Sequence, residues 1–272
     1  MADGGETLRL EDVKVLIIRA PGTNCDAETK DAVFDLGARA DVVHLNRIIK
    51  GHISLEDYNG IILPGGFSFG DMVRSGVILG KLLRYNLKTD FEEFIAESNP
   101  VLGICNGFQA LIEAEFLPGS DITLALGKNI SARFEDRWCH IKSYRGGLFT
   151  RSVGELVKIP VANGEGRLIL PEGKEEKTYE ELEENRQITF KYASGEGKLA
   201  LGSYPENPSG SYGDIAGLTN NAGNVMGMMP HPERAFYRYM YPDWTRDYGK
   251  PEGYGDGYYI FKDMLDYIVR KL

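Results

Sequence analysis

The sequence predicts an α/β protein: a mostly parallel sheet with helices on both of its faces. Three observations carry this. Apolar runs of strand length recur through the first half, at residues 13–18, 41–45, 60–63 and 101–104. Segments with helical spacing lie between them, and glycine or proline turns follow several of them. Strands separated by helices imply parallel pairing with both faces covered, and in such sheets the ligand crevice lies beyond the carboxyl ends of the strands.

Residues 13–18 form a β-branched run that reads as a buried strand. A Pro21-Gly22 turn follows, then a helix over residues 26–36 with Ala27, Val33, Phe34 and Leu36 at helical spacing and Gly37 as its stop. Residues 41–45 are a second strand and 60–63 a third, ended by Pro64-Gly65-Gly66. Thr89-Asp90-Phe91-Glu92 has the form of a capping box and opens a helix through Phe94 and Ile95. Asn99-Pro100 breaks that pattern and 101–104 begins another strand. The second half is less regular. Residues 172–185, rich in Glu and Lys, read as a surface helix or solvated insertion, and 205–213 and 248–257 as loops. No repeat and no clean linker divides the chain, so residues 1–272 are expected to form a single domain, with 1–12 a flexible N-terminal segment.

Composition narrows the function classes. With 272 residues the chain buries roughly 75% of its unfolded surface and needs no staples. A net charge of −9 argues against a nucleic-acid-binding face. The three cysteines, Cys25, Cys105 and Cys139, form no C-x-x-C pair, which suits a reducing compartment. The first residues lack the apolar stretch of a signal peptide, and no run reaches the ~18–20 apolar residues of a membrane span. The expected location is the cytoplasm, without a membrane partner.

Gly103-Ile104-Cys105-Asn106-Gly107 has the form G-x-nucleophile-x-G, with a strand before it and a helical pattern after it. Such a turn holds the nucleophile in a strained conformation at a helix N-terminus, where the dipole favours thiolate over thiol. Cys25 and Cys139 lack that context and read as small buried residues. A cysteine nucleophile needs a base, and neutral imidazole suits. Among the four histidines, His231 stands out in Met229-Pro230-His231-Pro232-Glu233. Flanking prolines stiffen the turn, and the carboxylate of Glu233, two positions on, can orient the ring. The Pro64-Gly65-Gly66-Phe67 turn is open to three readings: phosphate cradle, structural turn or oxyanion hole. The chain has no G-x4-G-K-[ST] motif, so it is not a Walker loop. Its N–H groups, with that of Asn106, could bind the oxygen of a tetrahedral intermediate.

These segments resemble the class I, triad-type glutamine amidotransferases, and more narrowly the glutaminase subunits of phosphoribosylformylglycinamidine synthases. The likeness rests on Pro21-Gly22-Thr23-Asn24-Cys25-Asp26, residues 64–71, Gly103 through Gln109, Asn129-Ile130-Ser131-Ala132-Arg133-Phe134, Gly164-Glu165-Gly166-Arg167 and Met228 through Arg234. Asn106-Gly107-Phe108-Gln109, where many relatives have Leu-Gly-His-Gln, makes it specific.

The resemblance implies a flavodoxin-like fold, with Cys105 as nucleophile, His231 as base and acid, and Glu233 as its orienter. It places Gly65, Gly66, Phe67 and Asn106 near the oxyanion, and Gln109, Arg133 and Phe134 on substrate L-glutamine. It implies no metal and no cofactor bound by this chain, ATP and Mg being used by a large synthetase partner, with a small accessory subunit alongside. Two departures stand out. The chain has Asn163 where the family often has His, so Asn163 receives no acid–base role. Residues 172–202 and 241–257 read as insertions. Alternatives are a class I glutaminase serving another synthetase, a cysteine hydrolase of similar architecture, and an inactive binding module.

Overall fold

A computed structural model describes residues 9–144, 146–246 and 252–271. Of the N-terminal segment expected to be flexible, residues 1–8 lie outside this description, and Leu10–Asp12 forms a 3-10 turn. The first half then alternates as the pattern requires: β1 (Lys14–Arg19), α1 (Asp26–Asp35), β2 (Arg39–His44), the short α2 (Leu45–Ile49), β3 (Gly60–Leu63), α3 (Val77–Asn86), α4 (Lys88–Ala96), β4 (Val101–Ile104) and α5 (Asn106–Glu113). The second half holds β5 (Ala125–Gly127), β6 (Glu135–Ser143), β7 (Leu156–Asn163), β8 (Arg167–Ile169), α6 (Glu175–Glu184), β9 (Ile188–Ala193), β10 (Ile215–Thr219), β11 (Val225–Met228) and α7 (Tyr258–Lys271).

Nine strands form one sheet in the order β2-β1-β3-β4-β11-β10-β9-β6-β7, while β5 and β8 pair separately. The first five are parallel; β10, β9, β6 and β7 alternate antiparallel. From β1 the chain crosses to β2 on one side, and from β3 to β4 on the other. Right-handed crossovers therefore put α1 and α3 on opposite faces. Helix α5 packs with α3, and α7 with α1, so each face of the parallel half is covered. The reversal of direction falls between β1 and β3, the place where such sheets open a crevice. The loop after β1 and the loop after β3 meet there, with Thr23 and Gly66 forming an isolated bridge.

Burial explains the parallel half. Leu16, Ile17, Ile61, Ile62, Val101, Leu102, Met226 and Met228 are fully buried on central strands. Their continuous apolar runs are the signature of strands covered on both faces.

Two expectations need correction. The Thr89 capping box does not form: α4 begins at Lys88, with Leu87 at its N-cap and no side-chain cap. Leu87 and Phe91 are buried, and the Phe91 N–H bonds Leu87 O at 3.0 Å, so packing sets the helix start ahead of the Thr89 hydroxyl. Residues 172–202 are not an appendage throughout. They contain α6, as expected of a surface helix, but also β9, whose six residues are all buried between β6 and β10. Within 241–257, residues 247–251 lie outside the description; Asp256 accepts from Lys158 N at 2.8 Å, and its own N–H donates to the Tyr241 hydroxyl.

Candidate active site

Cys105 sits between β4 and α5 with φ 49° and ψ −104°. Positive φ is unfavourable for a residue with a Cβ and persists only where its surroundings enforce it. Here they do: the Cys105 N–H donates to Met228 O on β11 at 2.8 Å. The two flanking glycines are steric necessities. A Cβ on Gly107 would lie 1.9 Å from Leu63 O, and one on Gly103 would lie 2.8 Å from Gly107 O. The sulfur is largely buried, 3.8 Å from Ala162 O on β7, at the N-terminus of α5.

His231 follows β11 and heads the 3-10 turn Pro232–Ala235, with Pro232 fixing the first turn position. Its N–H donates to Pro160 O of β7 at 2.8 Å. Its Nδ1 lies 2.6 Å from Glu233 Oε1, with both side chains buried. That bond assigns the proton to Nδ1 and leaves Nε2, which has no hydrogen-bond partner among the described residues, as the free nitrogen. Burial alone would push the imidazole pKa down. The Glu233 carboxylate and the Cys105 sulfur more than reverse that, and the pKa stands well above the ordinary value. The pair is built to carry an imidazolium.

The glycine turn after β3 packs against this base. A Cβ on Gly65 would lie 2.7 Å from His231 Cε1, so only glycine lets the ring sit there. Within the turn the N–H groups divide. Phe67 N donates to Gly22 O at 2.9 Å and Ser68 N to Asn106 Oδ1 at 3.2 Å. Among the described residues the N–H groups of Gly65, Gly66 and Asn106 have no acceptor, which leaves these three open to an incoming oxygen. Phe67 is thereby removed as an oxyanion donor. Its ring instead faces that of Phe134, centroids 6.2 Å apart, both half exposed.

Gln109 does not reach freely into the cleft. Its Oε1 accepts from Asn106 Nδ2 at 3.0 Å and its Nε2 donates to Glu165 O at 2.5 Å. It ties the elbow helix to residues 164–166. Arg133 is exposed and forms no ion pair among the described residues, so its guanidinium is available. Asn163 is buried beneath that turn, against Gly166, with Oδ1 unpartnered.

Three further groups lie at the site for which the sequence motifs assign no role. Asp71 accepts from Ser75 Oγ at 2.8 Å and from Asn106 Nδ2 at 3.3 Å, and Glu165 accepts from Ser75 N at 3.0 Å. Burial pushes the Asp71 pKa up, and nearby Glu165 adds to that. Cys25, expected only to be buried, is fully buried, but its sulfur lies 4.0 Å from His231 Nδ1. Cys25, His231 and Glu233 place their donor atoms within 4.8 Å of one another. Glu233 Oε1 is engaged by the imidazole and the sulfur accepts from Arg234 Nη2 at 3.1 Å, an arrangement suited to acid–base work.

Comparison with known proteins shows the family. Residues 12–268 match the family model described as the CobB/CobQ-like glutamine amidotransferase domain. The chain belongs to the glutamine amidotransferase family. Its sequence is 41% identical over 276 residues to the phosphoribosylformylglycinamidine synthase subunit PurQ of Archaeoglobus fulgidus, covering 96% of this chain and 98% of the relative. It is 40% identical over 268 residues to the PurQ subunit of Methanococcus maripaludis, covering 93% and 97%. Among solved structures, it is similar to a chain in the structure of PurLQS from Thermotoga maritima, with TM-score 0.69, 28% identity, and 94% and 98% coverage. In this amidotransferase the parallel sheet, the elbow and the histidine turn fall where the sequence pattern put them. No described helix is long and apolar enough to cross a membrane.

Proposed function

We propose that this chain is the glutaminase subunit of a phosphoribosylformylglycinamidine synthase, hydrolysing L-glutamine and passing ammonia to a synthetase partner. The observation that carries the reaction is the strained elbow holding Cys105 beside a buried imidazole paired to Glu233 at 2.6 Å. The thiolate of Cys105 attacks the side-chain amide carbon of glutamine. The oxyanion that forms accepts from the N–H groups of Gly66 and Asn106. His231 protonates the departing ammonia through Nε2, leaving a γ-glutamyl thioester, and then activates the water that hydrolyses it. Glu233 holds the Nδ1–H throughout. Phe67, Phe134 and Arg133 frame the mouth, and Arg133 is suited to the α-carboxylate of glutamine.

The match to PurQ subunits along nearly the whole chain supports the rest: a cytoplasmic complex with a large synthetase that uses ATP and Mg, and a small accessory subunit. An electrophilic glutamine analogue labels Cys105 and spares the other cysteines. Burial raises the thiol pKa of Cys25, and that of Cys139 to about 12, so neither is poised as a thiolate. Peptide mapping decides this; modification centred on Cys25 or Cys139 removes the nucleophile assignment. Glutamine turnover is slow in the lone chain and rises when the nucleotide-loaded synthetase docks. Full activity of the lone chain, unchanged by a cognate synthetase, speaks against the channelled-subunit reading. Peptide or ester turnover without glutamine turnover points to another cysteine hydrolase.

A further inference from the structure

Behind the imidazole lies a group that the proposed reaction does not use. Cys25 caps the N-terminus of α1, and its carbonyl accepts from Thr29 Oγ1 at 2.6 Å. Its N–H and that of Asn24 donate to Gly65 O at 3.2 and 3.4 Å. Cys25 is thus fastened to the turn that seats the base. Its sulfur lies 3.2 Å from Asn24 Oδ1, to which the thiol donates, and it accepts from Arg234 Nη2 at 3.1 Å.

Charged groups face His231 from three elements. Its own turn supplies Glu233 and Arg234, the elbow supplies Cys105, and α1 supplies Cys25 with Glu28 beyond it facing Arg234. Gly65 and Pro160 offer only backbone. Arg234 is the next residue after Glu233 and feels its field, yet no ion pair joins them among the described residues; the guanidinium is on the sulfur instead. A guanidinium that swung to Glu233 would make a charge-assisted, bidentate pair and take from the imidazole the anion that stabilises its charged form.

We propose that Cys25 is a positioning residue of the triad: its sulfur holds the Arg234 guanidinium off Glu233 and so leaves that carboxylate to His231. The proposal rests on reading His231 and Glu233 as base and orienter. It requires a neutral acceptor of this size, which the thiol provides because burial keeps it protonated against the pull of His231 and Arg234.

The test is the pH profile of kcat/KM for glutamine on the full chain with its synthetase partner. In Cys25→Ala the guanidinium loses its acceptor. We expect the alkaline limb, which reports loss of the imidazolium, to move about one pH unit lower, so that kcat/KM on that limb falls about tenfold at a given pH. Cys25→Ser keeps an acceptor and brings the limb back most of the way. The Cys25→Ala/Arg234→Met double variant removes the competitor and returns the limb to the wild-type position. The titration midpoint of the His231 ring, followed by NMR, must move in the same pattern and needs no turnover. An unmoved limb and midpoint in Cys25→Ala overturn the proposal. So does a double variant that stays shifted, which would mean lost packing and not a freed guanidinium. Failure of the underlying glutaminase reading looks different: the wild-type complex itself shows no glutamine turnover, and the proposal falls with it.

Discussion

The parallel and antiparallel halves of the sheet reach the same cleft by different means. In the parallel half, β1, β3, β4 and β11 each run into a turn whose backbone is part of the site: Cys25, Gly65-Gly66, Cys105 and His231 follow them in that order. In the antiparallel half the outer strand supplies the hydrogen bonds to these turns, while Tyr192 on β9 lies within the electrostatic reach of Cys105. β7 packs against the histidine turn and offers two carbonyls, Pro160 O to the His231 N–H and Ala162 O to the Cys105 sulfur. One half therefore sets reactivity through turn geometry, while the other closes a wall. Substitutions in the two halves should separate accordingly, into losses of kcat and small losses of stability.

The largest effect belongs to the histidine turn. Glu233→Gln keeps the shape and the hydrogen bond to Nδ1 but removes the charge that sustains the imidazolium. In a serine triad the analogous change costs ~10⁴ in kcat; a thiol is more acidic than a hydroxyl and needs its base less, so roughly 10- to 10³-fold is expected here. His231→Ala should cost more, since ammonia then departs without its acid. The measurement is glutamine kcat for both variants, with folding checked by circular dichroism. A well-folded Glu233→Gln with wild-type kcat would reduce Glu233 to a structural partner of its turn.

Next comes the elbow, where activity and stability should fall together. A Cβ at Gly107 meets the Leu63 carbonyl at 1.9 Å, and neither backbone can give way without moving the other strand end. Gly107→Ala is expected to cost about 3 kcal/mol, the upper range for overpacking, and to drop kcat roughly 10²-fold through a misplaced sulfur. Urea unfolding and glutamine turnover read both. A variant that loses neither would show that the elbow relaxes freely.

The two halves also differed in how legible they were. The parallel strands announced themselves because burial on both faces demands unbroken apolar runs, and the glycines of 103–107 announced the elbow because nothing else fits there. The antiparallel strands did not. β6, Glu135 to Ser143, mixes buried and partly buried residues and carries Arg, His and Lys, while β9 buries a lysine, so neither reads as a core strand. The site residues were legible where chemistry forces a residue type: Cys105, His231 and Glu233. Roles set by hydrogen-bond competition were not. Phe67 N–H is already bonded, Gln109 is a strut, and Cys25 lies against the base across a chain separation of 206 residues.

The smallest effect tests the antiparallel half at Lys191, on β9. Its ammonium is buried and bonds Glu183 and the Tyr179 hydroxyl from α6, with Tyr144 beneath it as a cation–π partner. Lys191 pairs with Ile215 and Lys142, and its hydrogen bonds run to α6 and not to a site residue. Desolvation opposes the charge of Lys191, but Glu183 and Tyr179 outweigh it and raise its pKa to about 12, while Lys191 holds that of Glu183 down. The Glu183 contribution is present above its ordinary pKa of about 4.3 and lost as pH falls through its lower folded value; that of Lys191 persists to high pH and is lost only near 12. Glu183 is half exposed, so solvent screening keeps the pair to under about 1 kcal/mol. Lys191→Met fills the volume and frees Glu183 to water. Its stability deficit against wild type should be small and level between about pH 5 and 9, and should shrink below about pH 4 as Glu183 protonates. Glutamine kcat should stay within about twofold of wild type, since the Lys191 side chain bonds α6 and not the elbow. A tenfold loss of kcat in a stable Lys191→Met would mean that the antiparallel half does more than close the wall.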